Sequence, residues 1–158
     1  MKGRLNLYMK ITKNFSSDEF ACKCCGRQNI NENLVFQLQK IRGIVKKPII
    51  ITSGYRCPAH NKKIGGSPKS QHLLGKAADI YVNGMSVRDL YEVVSIFYKN
   101  GINGIGVYPE QGFIHIDVRE QPAFWIYLKS QRKYLSLQEF QALLLHDQNL
   151  KEQYEKIR

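Results

Sequence analysis

Apolar side chains recur at three- and four-residue spacing in three stretches of the chain, and this period predicts three amphipathic helices. Each stretch follows a residue type that commonly caps helices: Asn31, Ser86 and Ser136. The apolar positions are Leu34, Val35, Leu38, Ile41 and Val45 in the first stretch, Leu90, Val93, Val94 and Phe97 in the second, and Phe140, Leu143, Leu144, Leu150, Tyr154 and Ile157 in the third. A further short helix is predicted after Ser16, because Glu19 completes a capping box.

Short runs of β-branched and aromatic residues predict strands over 49–52, 79–82, 105–108 and 113–119. Residues 109–112 join the last two runs as a hairpin turn, whereas the glycines and proline within 59–71 predict a loop. The expected fold class is therefore α+β, with an antiparallel sheet and helices packed on one side. We expect an extended lead-in over 1–14, one domain over 15–128 and a C-terminal helical extension over 129–158.

The charge of the chain is uneven and limits the classes of partner. The formal net charge is +11, and residues 1–63 carry 13 Lys and Arg against 3 Asp and Glu. Such a basic half favours a polyanionic partner, such as an anionic cell-wall polymer. No basic run is interleaved with aromatic residues, which argues against nucleic acid. No stretch approaches the roughly 20 apolar residues of a membrane span, and the basic N-terminus has no apolar segment typical of a secretory signal.

Four cysteines leave three interpretations open. Cys22, Cys24 and Cys25 lie within four residues, and Cys57 follows Arg56. Two or three of them, together with His60, have the residue types of a structural zinc site. A disulfide between Cys57 and the cluster is the second interpretation, and free thiols in a reducing compartment are the third.

Three side chains around the central strands form a candidate metal site. His72 lies just before the strand that Asp79 opens, and His115 lies on a later strand. Two histidines and one aspartate are a three-ligand set for zinc, and three protein ligands leave one position open for catalysis. Tyr108 and Phe113 flank the hairpin and are candidates for the wall of a cleft.

Several motifs together resemble the M15 family of zinc peptidases. They are Ser53-Gly54-Tyr55-Arg56, then Asn61 with Gly65-Gly66, then Ser70-x-His72-x-x-Gly75-x-Ala77-x-Asp79, and finally His115-x-Asp117-x-Arg119. The resemblance runs from about residue 15 to about residue 125. It implies a hedgehog-like zinc fold with zinc bound by His72, Asp79 and His115.

The resemblance also implies roles for further residues. Arg56 matches the family arginine that holds or polarises the substrate, and we expect Ser70 and Tyr108 to contact the substrate as well. Many family members place the catalytic base three residues before the last histidine, where this chain has Gly112. Asp117 shares a face with His115 and is our first candidate for the base, with Glu110 second. The alternative role of Asp117 is to fix the tautomer of a ligating histidine.

These features predict a monomeric zinc metallopeptidase that hydrolyses peptidoglycan stem peptides. A D-Ala-D-Ala carboxypeptidase and an endolysin-type endopeptidase both fit the motifs. The alternative is a binding module that keeps the zinc fold without catalysis, since fold alone does not imply function. Without a secretory signal, we expect synthesis in the cytoplasm and action on the cell wall after release, as for a phage lysin or a virion-associated enzyme.

Overall fold

A six-stranded sheet forms the centre of the protein. The computed structural model describes residues 9–145, with side chains as far as residue 143. The strands are β1 Ile49–Ser53, β2 Ala77–Val82, β3 Gly104–Tyr108, β4 Phe113–Asp117, β5 Ala123–Leu128 and β6 Gln131–Leu135, and their order across the sheet is β1-β2-β4-β3-β5-β6. Neighbouring strands are antiparallel except for β3 and β5, which are parallel. The predicted α+β class is confirmed, with a sheet that is mixed rather than wholly antiparallel.

In the described part of the chain, four helices accompany the sheet, and predicted residues cap three of them. They are α1 Glu32–Val45, α2 Pro58–Lys63, α3 Val87–Ser95 and α4 Leu137–Leu145, with two short 3-10 helices at Ser17–Phe20 and Gln71–Leu74. The Asn31 side chain accepts a hydrogen bond from the backbone N–H of Leu34, the predicted capping box of Ser16 and Glu19 forms, and Ser136 and Glu139 form a second one. Within residues 9–145 no helix has the length and apolar character that crossing a bilayer requires.

The core lies on one face of the sheet, beneath α1, α3 and α4. It contains Leu34, Leu38 and Ile41 from α1, Leu90, Tyr91 and Val94 from α3, Phe140 and Leu143 from α4, and Ile80, Ile105, Ile114, Ile116 and Ile126 from the strands. Because side chains alternate along a strand, the residues between these isoleucines face the other side. That second face carries Asp79, His115, Asp117 and Trp125, so the helices leave it available for a site.

Some predicted boundaries differ from the structure. The predicted loop over 59–71 contains helix α2 and the start of a 3-10 helix, because Pro58 at the first helical position and the Cys57 cap initiate a helix. Helix α3 ends at Ser95, and the last predicted strand ends at Asp117. The predicted helical extension after 128 begins instead with strand β6, which pairs with β5. Residues 1–8 and 146–158, including Leu150, Tyr154 and Ile157, lie outside the described residues.

Candidate metal centre in a cationic cleft

Strand pairing brings two of the predicted ligands together. Asp79 on β2 lies directly opposite His115 on β4 in the antiparallel ladder, so their side chains emerge side by side on the same face. Asp117 lies two residues further along β4 on that face, above Gly104 of β3. A Cβ atom at Gly104 would approach the Asp117 carboxylate to 2.1 Å, and glycine therefore provides the space for this carboxylate.

The third predicted ligand comes from the 3-10 helix before β2. Ser70 caps this helix, since its Oγ accepts a hydrogen bond from the backbone N–H of His72 at 3.3 Å. Gly75 ends the helix at φ +68°, and a Cβ atom there would lie 2.1 Å from the Asn29 carbonyl oxygen. Only glycine fits this turn, which directs the chain into β2 and turns His72 towards Asp79.

The three predicted ligand atoms form a small buried triangle. His72 Nε2 lies 3.1 Å from His115 Nδ1 and 3.3 Å from Asp79 Oδ1, and His115 Nδ1 lies 2.9 Å from Asp79 Oδ1. Three acceptors this close repel one another unless a proton or a cation lies among them. Ligand bonds of 2.0–2.2 Å to one zinc ion produce separations of about 3.3 Å between donor atoms. The donor set and its spacing therefore fit a single divalent metal ion.

Hydrogen bonds at the outer nitrogens hold both imidazoles in the orientation that a metal needs. His72 Nδ1 lies 2.7 Å from the Gly54 carbonyl oxygen, which can only accept, so this nitrogen carries the proton. His115 Nε2 lies 2.8 Å from Asp117 Oδ2, and the carboxylate fixes the proton there in the same way. The inner nitrogens of both rings are thereby left as ligand atoms, which is the usual arrangement around metal-binding histidines.

Arg56 is bound to the remaining oxygen of Asp79. Its guanidinium donates to Asp79 Oδ2 at 2.6 Å and to Ser53 Oγ at 2.8 Å. Oδ1 is thus the oxygen that faces the two histidines. The exposed fractions of the Arg56 and Asp79 side chains are 14% and 8%, so Arg56 also reaches the surface of the cleft.

The pKa values of Asp79, His72 and His115 are shifted by burial and by the contacts among these groups. Burial favours the neutral form of Asp79, but His72 and His115 outweigh it and hold the pKa of Asp79 far below its usual range. Burial lowers the pKa of His72, although Asp79 opposes this. Burial also disfavours the charged form of His115, yet the hydrogen bonds to Asp117 and Asp79 raise the pKa of His115. These contacts therefore favour protonation of His115 over protonation of His72.

The triangle lies at the base of a cleft of about 520 Å³. Tyr108 and Phe113 line it as the sequence predicted, and their rings stack at 4.3 Å between centroids. The loop 64–70 forms the opposite wall, and Asn61 holds that loop by donating to the Ser67 carbonyl oxygen at 2.9 Å. The cationic side chains lining the cleft are Arg56, Lys69, Arg119 and Arg132. Among residues 9–143, Asp79 is the one carboxylate in the lining.

Neither candidate for the general base lines the cleft. The Asp117 side chain has no exposed surface and lies behind His115, where it also accepts two hydrogen bonds from the Arg119 guanidinium. Glu110 lies on the hairpin turn and accepts a hydrogen bond from the backbone N–H of Lys129 at 3.1 Å. The position of Asp117 fits the alternative role, that of a partner that fixes the tautomer of His115, and the identity of the base stays a prediction.

Strands β5 and β6 add aromatic residues to the cleft that were not predicted from the sequence. Trp125, Tyr127 and Tyr134 line it, and Trp125 Nε1 donates to the Tyr108 hydroxyl at 3.0 Å. Trp125 and Tyr127 alternate with buried Phe124 and Ile126, a period-2 pattern that was available in the sequence. Arg119, named only as part of a motif, holds Asp117 and lies over the Trp125 ring at 5.4 Å.

Comparison with known proteins agrees with this geometry. The profile of the family described as Peptidase M15 matches residues 13–117. The peptidoglycan L,D-endopeptidases MepK of Escherichia coli K12 and of Shigella flexneri are each 30% identical over 97 residues, which cover 57% of this chain and 52% of theirs. The chain thus spans about half the length of the curated relatives it matches. Since the family match covers most of the chain and includes the three predicted ligands, this protein belongs to peptidase family M15.

Proposed function

We propose that this protein is a zinc-dependent peptidase that hydrolyses peptide bonds in peptidoglycan stem peptides, as a D-Ala-D-Ala carboxypeptidase or an endolysin-type endopeptidase. The observation that carries the proposal is the triangle of His72, Asp79 and His115 at the base of an accessible cleft. Membership of a peptidase family supports the reaction type, and the MepK relatives, named as peptidoglycan endopeptidases, support the substrate.

The chain's own residues have distinct roles in this reaction. His72, Asp79 and His115 would hold the zinc ion, which when bound would supply Lewis-acid chemistry to a scissile carbonyl and a water molecule. Arg56 keeps Asp79 oriented and presents its guanidinium edge to a substrate oxygen. Ser70 fixes the helix that carries His72, and Tyr108 forms the wall against which a peptide lies.

The charge of the cleft indicates what kind of peptide it accepts. Four cationic side chains and one carboxylate line it, and that carboxylate already binds Arg56. A ligand with free carboxylates gains electrostatic attraction in such a cleft, whereas a cationic ligand is repelled. Stem peptides carry a terminal carboxylate, which suits this arrangement.

Digestion of purified sacculi tests the proposal directly. Zinc-loaded protein is incubated with sacculi of several bacterial wall types, and released peptides are identified by mass spectrometry. We expect stem-peptide fragments whose new termini identify the scissile bond, and no release by His115→Ala. If the zinc-loaded protein releases no peptide from any wall type, the proposed activity is wrong.

Zinc affinity should rise with pH. Zinc competes with a proton for His115 Nδ1, and because the pKa of His115 is raised above the ~6.5 of a free imidazole, this competition extends to higher pH than at an ordinary histidine. Each unit of acidification below that pKa should weaken zinc binding about tenfold. Calorimetric titration in buffers of different ionisation enthalpy measures the proton release, and a release of zero would contradict this assignment.

Arg132 should contribute to substrate binding more than to the reaction itself. It lines the cleft, donates to the Tyr108 hydroxyl at 3.4 Å and lies over the Trp125 ring. We expect Arg132→Gln to raise KM on the order of tenfold with kcat nearly unchanged, the loss of one charged hydrogen bond.

The control for Arg132 is the neighbouring cation on the same strand. Lys133 faces the other side of β6, where its Nζ lies 3.4 Å from Glu139 Oε1. Lys133→Gln removes the same charge and should leave KM unchanged. Equal effects of the two substitutions would assign the change to net charge rather than to a contact in the cleft.

The second candidate function is a binding module that retains the metal centre. The observation that favours it is the lining of the cleft, where the described residues offer no carboxylate as a base besides the ligand Asp79. A module of this kind co-sediments with sacculi and releases no peptide. Binding and release measured on the same samples therefore separate the two functions.

The proposed context is release of the protein onto a cell wall, as for a phage lysin or a virion-associated enzyme. The net charge of +11 supports electrostatic attraction to an anionic wall polymer. Wall lysis should then slow as ionic strength rises, since exposed charges are screened. Equal lysis rates at low and high salt would exclude this electrostatic role.

A further inference from the structure

The four cysteines converge on one point outside the candidate active site. Cys22, Cys24 and Cys25 come from the turn after the first 3-10 helix, and Cys57 precedes α2 on a distant part of the chain. Their four sulfur atoms all lie within 4.8 Å of one another. Cys22 and Cys57 are buried, whereas Cys24 and Cys25 are exposed, so the cluster lies at the surface with one side covered.

The sulfur separations match a tetrahedral metal site better than a disulfide. Cys24 Sγ lies 3.7 Å from Cys22 Sγ and 3.4 Å from Cys57 Sγ. Four zinc–sulfur bonds of about 2.3 Å in a tetrahedron place the sulfur atoms about 3.8 Å apart. A disulfide requires about 2.05 Å, and these two pairs are more than 1 Å longer.

The backbone around the sulfurs has the form of a metal-binding turn. The N–H of Gly26 donates to the Cys22 carbonyl oxygen at 2.8 Å, and Gly26 adopts φ +69°, which closes the turn that carries three of the cysteines. The N–H groups of Cys57 and His60 point at Cys22 Sγ and Cys57 Sγ, each at 3.4 Å. Such N–H donors stabilise the negative charge of thiolates.

We propose that Cys22, Cys24, Cys25 and Cys57 bind a structural Zn²⁺ ion, separate from the candidate metal centre. Binding converts the thiols to thiolates, and the protons pass to the buffer. Four thiolates leave no open position, which is the arrangement of a structural site and not a catalytic one. His60 contributes its backbone N–H to this site, and the four sulfurs are the ligands.

The proposed ion would fasten the segment that supports the candidate active site. The Gly54 carbonyl oxygen binds His72, Arg56 binds Asp79, and Cys57 follows immediately. The Tyr55 N–H donates to the Phe20 carbonyl oxygen at 2.8 Å, so the same segment already contacts the 3-10 helix before the cysteine turn. An ion that joins Cys57 to the cysteine turn would hold together the two segments that the Tyr55–Phe20 hydrogen bond already connects.

Metal content and optical spectra of the full chain test the proposal. The protein is purified without chelator and in reducing buffer, and we expect about two zinc ions per chain, one in each site. His115→Ala should keep about one, and the double variant Cys24→Ser/Cys25→Ser, which leaves two thiolates, should also keep about one. Cobalt bound to His115→Ala should show sulfur-to-cobalt charge-transfer absorption, and cobalt bound to the double variant should not.

The exposed Cys24 and Cys25 are chosen because their substitution removes two ligands without opening the core. Lys23→Ser is the matched control, since this exposed residue lies in the same turn and is not a ligand. It should keep about two zinc ions per chain. Cys57→Ser provides a second ligand variant, and its thermal unfolding midpoint should fall in zinc-loaded protein but not after chelation.

Three results would overturn the proposal. Four free thiols and no metal in His115→Ala would mean that the cluster binds nothing. A disulfide detected by mass spectrometry in protein purified without reductant, with no bound metal, would replace the metal by a covalent link. Iron in place of zinc at the thiolate site would refute the assignment of the ion. None of these results depends on peptidase activity, so the proposed function can fail or hold independently.

Discussion

We expect His115→Ala to lose the metal of the candidate centre and the peptidase activity together. This substitution removes one of three ligand atoms and leaves His72 and Asp79, which are too few for a stable site. The Asp117–Arg119 pair beneath it stays intact, so the fold should be retained. Loss of the carbonyl-polarising ion should lower kcat/KM by about 10³-fold or more, roughly 4 kcal/mol of transition-state stabilisation.

Metal content by mass spectrometry and turnover must be measured on the same preparations. His72→Ala should behave like His115→Ala. Asp79→Ala is less informative, because it also leaves Arg56 without its carboxylate partner. His60→Gln is the matched control, since it removes a histidine outside the triangle and should keep metal and activity. An active His115→Ala protein that contains no metal at this centre would refute the ligand assignment.

The fold followed from the sequence wherever local signals were complete. Asn31, Ser86 and Ser136 each begin a helix through the side-chain hydrogen bonds that their residue types predict. The hairpin of β3 and β4 followed from two β-branched runs around Pro109. In these regions the conformation depends on residues that are close in sequence, so it can be predicted from the sequence.

The β5–β6 hairpin shows why other elements were missed. A two-residue hairpin turn of type I′ needs positive φ at both positions, which Asn-Gly or Asp-Gly commonly supply. Here Lys129 and Ser130 adopt φ +49° and φ +61°, so the turn carries no recognisable signature. Pairing of β5 in parallel with β3 is a long-range contact, which no local pattern encodes. The aromatic wall of the cleft depends on these strands and was missed with them.

The three predicted ligands lie together in the structure, whereas the contacts that support them were not predicted. Residue type and the resemblance to M15 peptidases indicated His72, Asp79 and His115, and strand register places Asp79 opposite His115. The proton positions on both imidazoles depend on Gly54 and Asp117, which approach only in the folded chain. The burial of Asp117 likewise follows from the space at Gly104, a contact between strands that the sequence does not reveal.

We expect Asp117→Asn to weaken metal binding, because this carboxylate holds the proton on His115 Nε2. The carboxylate accepts hydrogen bonds from His115 at 2.8 Å and from Arg119 Nε at 2.7 Å. Burial raises the pKa of Asp117, but the hydrogen bonds from His115 and Arg119 outweigh burial, so this pKa lies well below its usual range. An asparagine presents an N–H₂ group to one of these donors and cannot satisfy both. Zinc affinity should fall about 10- to 100-fold, the usual cost of removing such a supporting contact.

The same substitution separates the two roles that the sequence left open for Asp117. If Asp117 orients His115, Asp117→Asn should regain most of its activity when zinc is raised well above its new dissociation constant. If Asp117 is the general base, zinc binding should be unchanged while kcat falls about 10²- to 10⁴-fold at every zinc concentration. Turnover measured across a zinc titration therefore distinguishes the roles.

Glu110→Gln is the matched control, because it neutralises the other candidate carboxylate on the exposed hairpin turn. It should leave both zinc affinity and turnover close to those of the unsubstituted protein, since Glu110 contacts the Lys129 N–H and not the cleft. If Glu110→Gln is inactive with zinc bound while Asp117→Asn remains active, the hairpin glutamate is the base. The turn over 109–112 would then have to move towards the cleft when substrate binds.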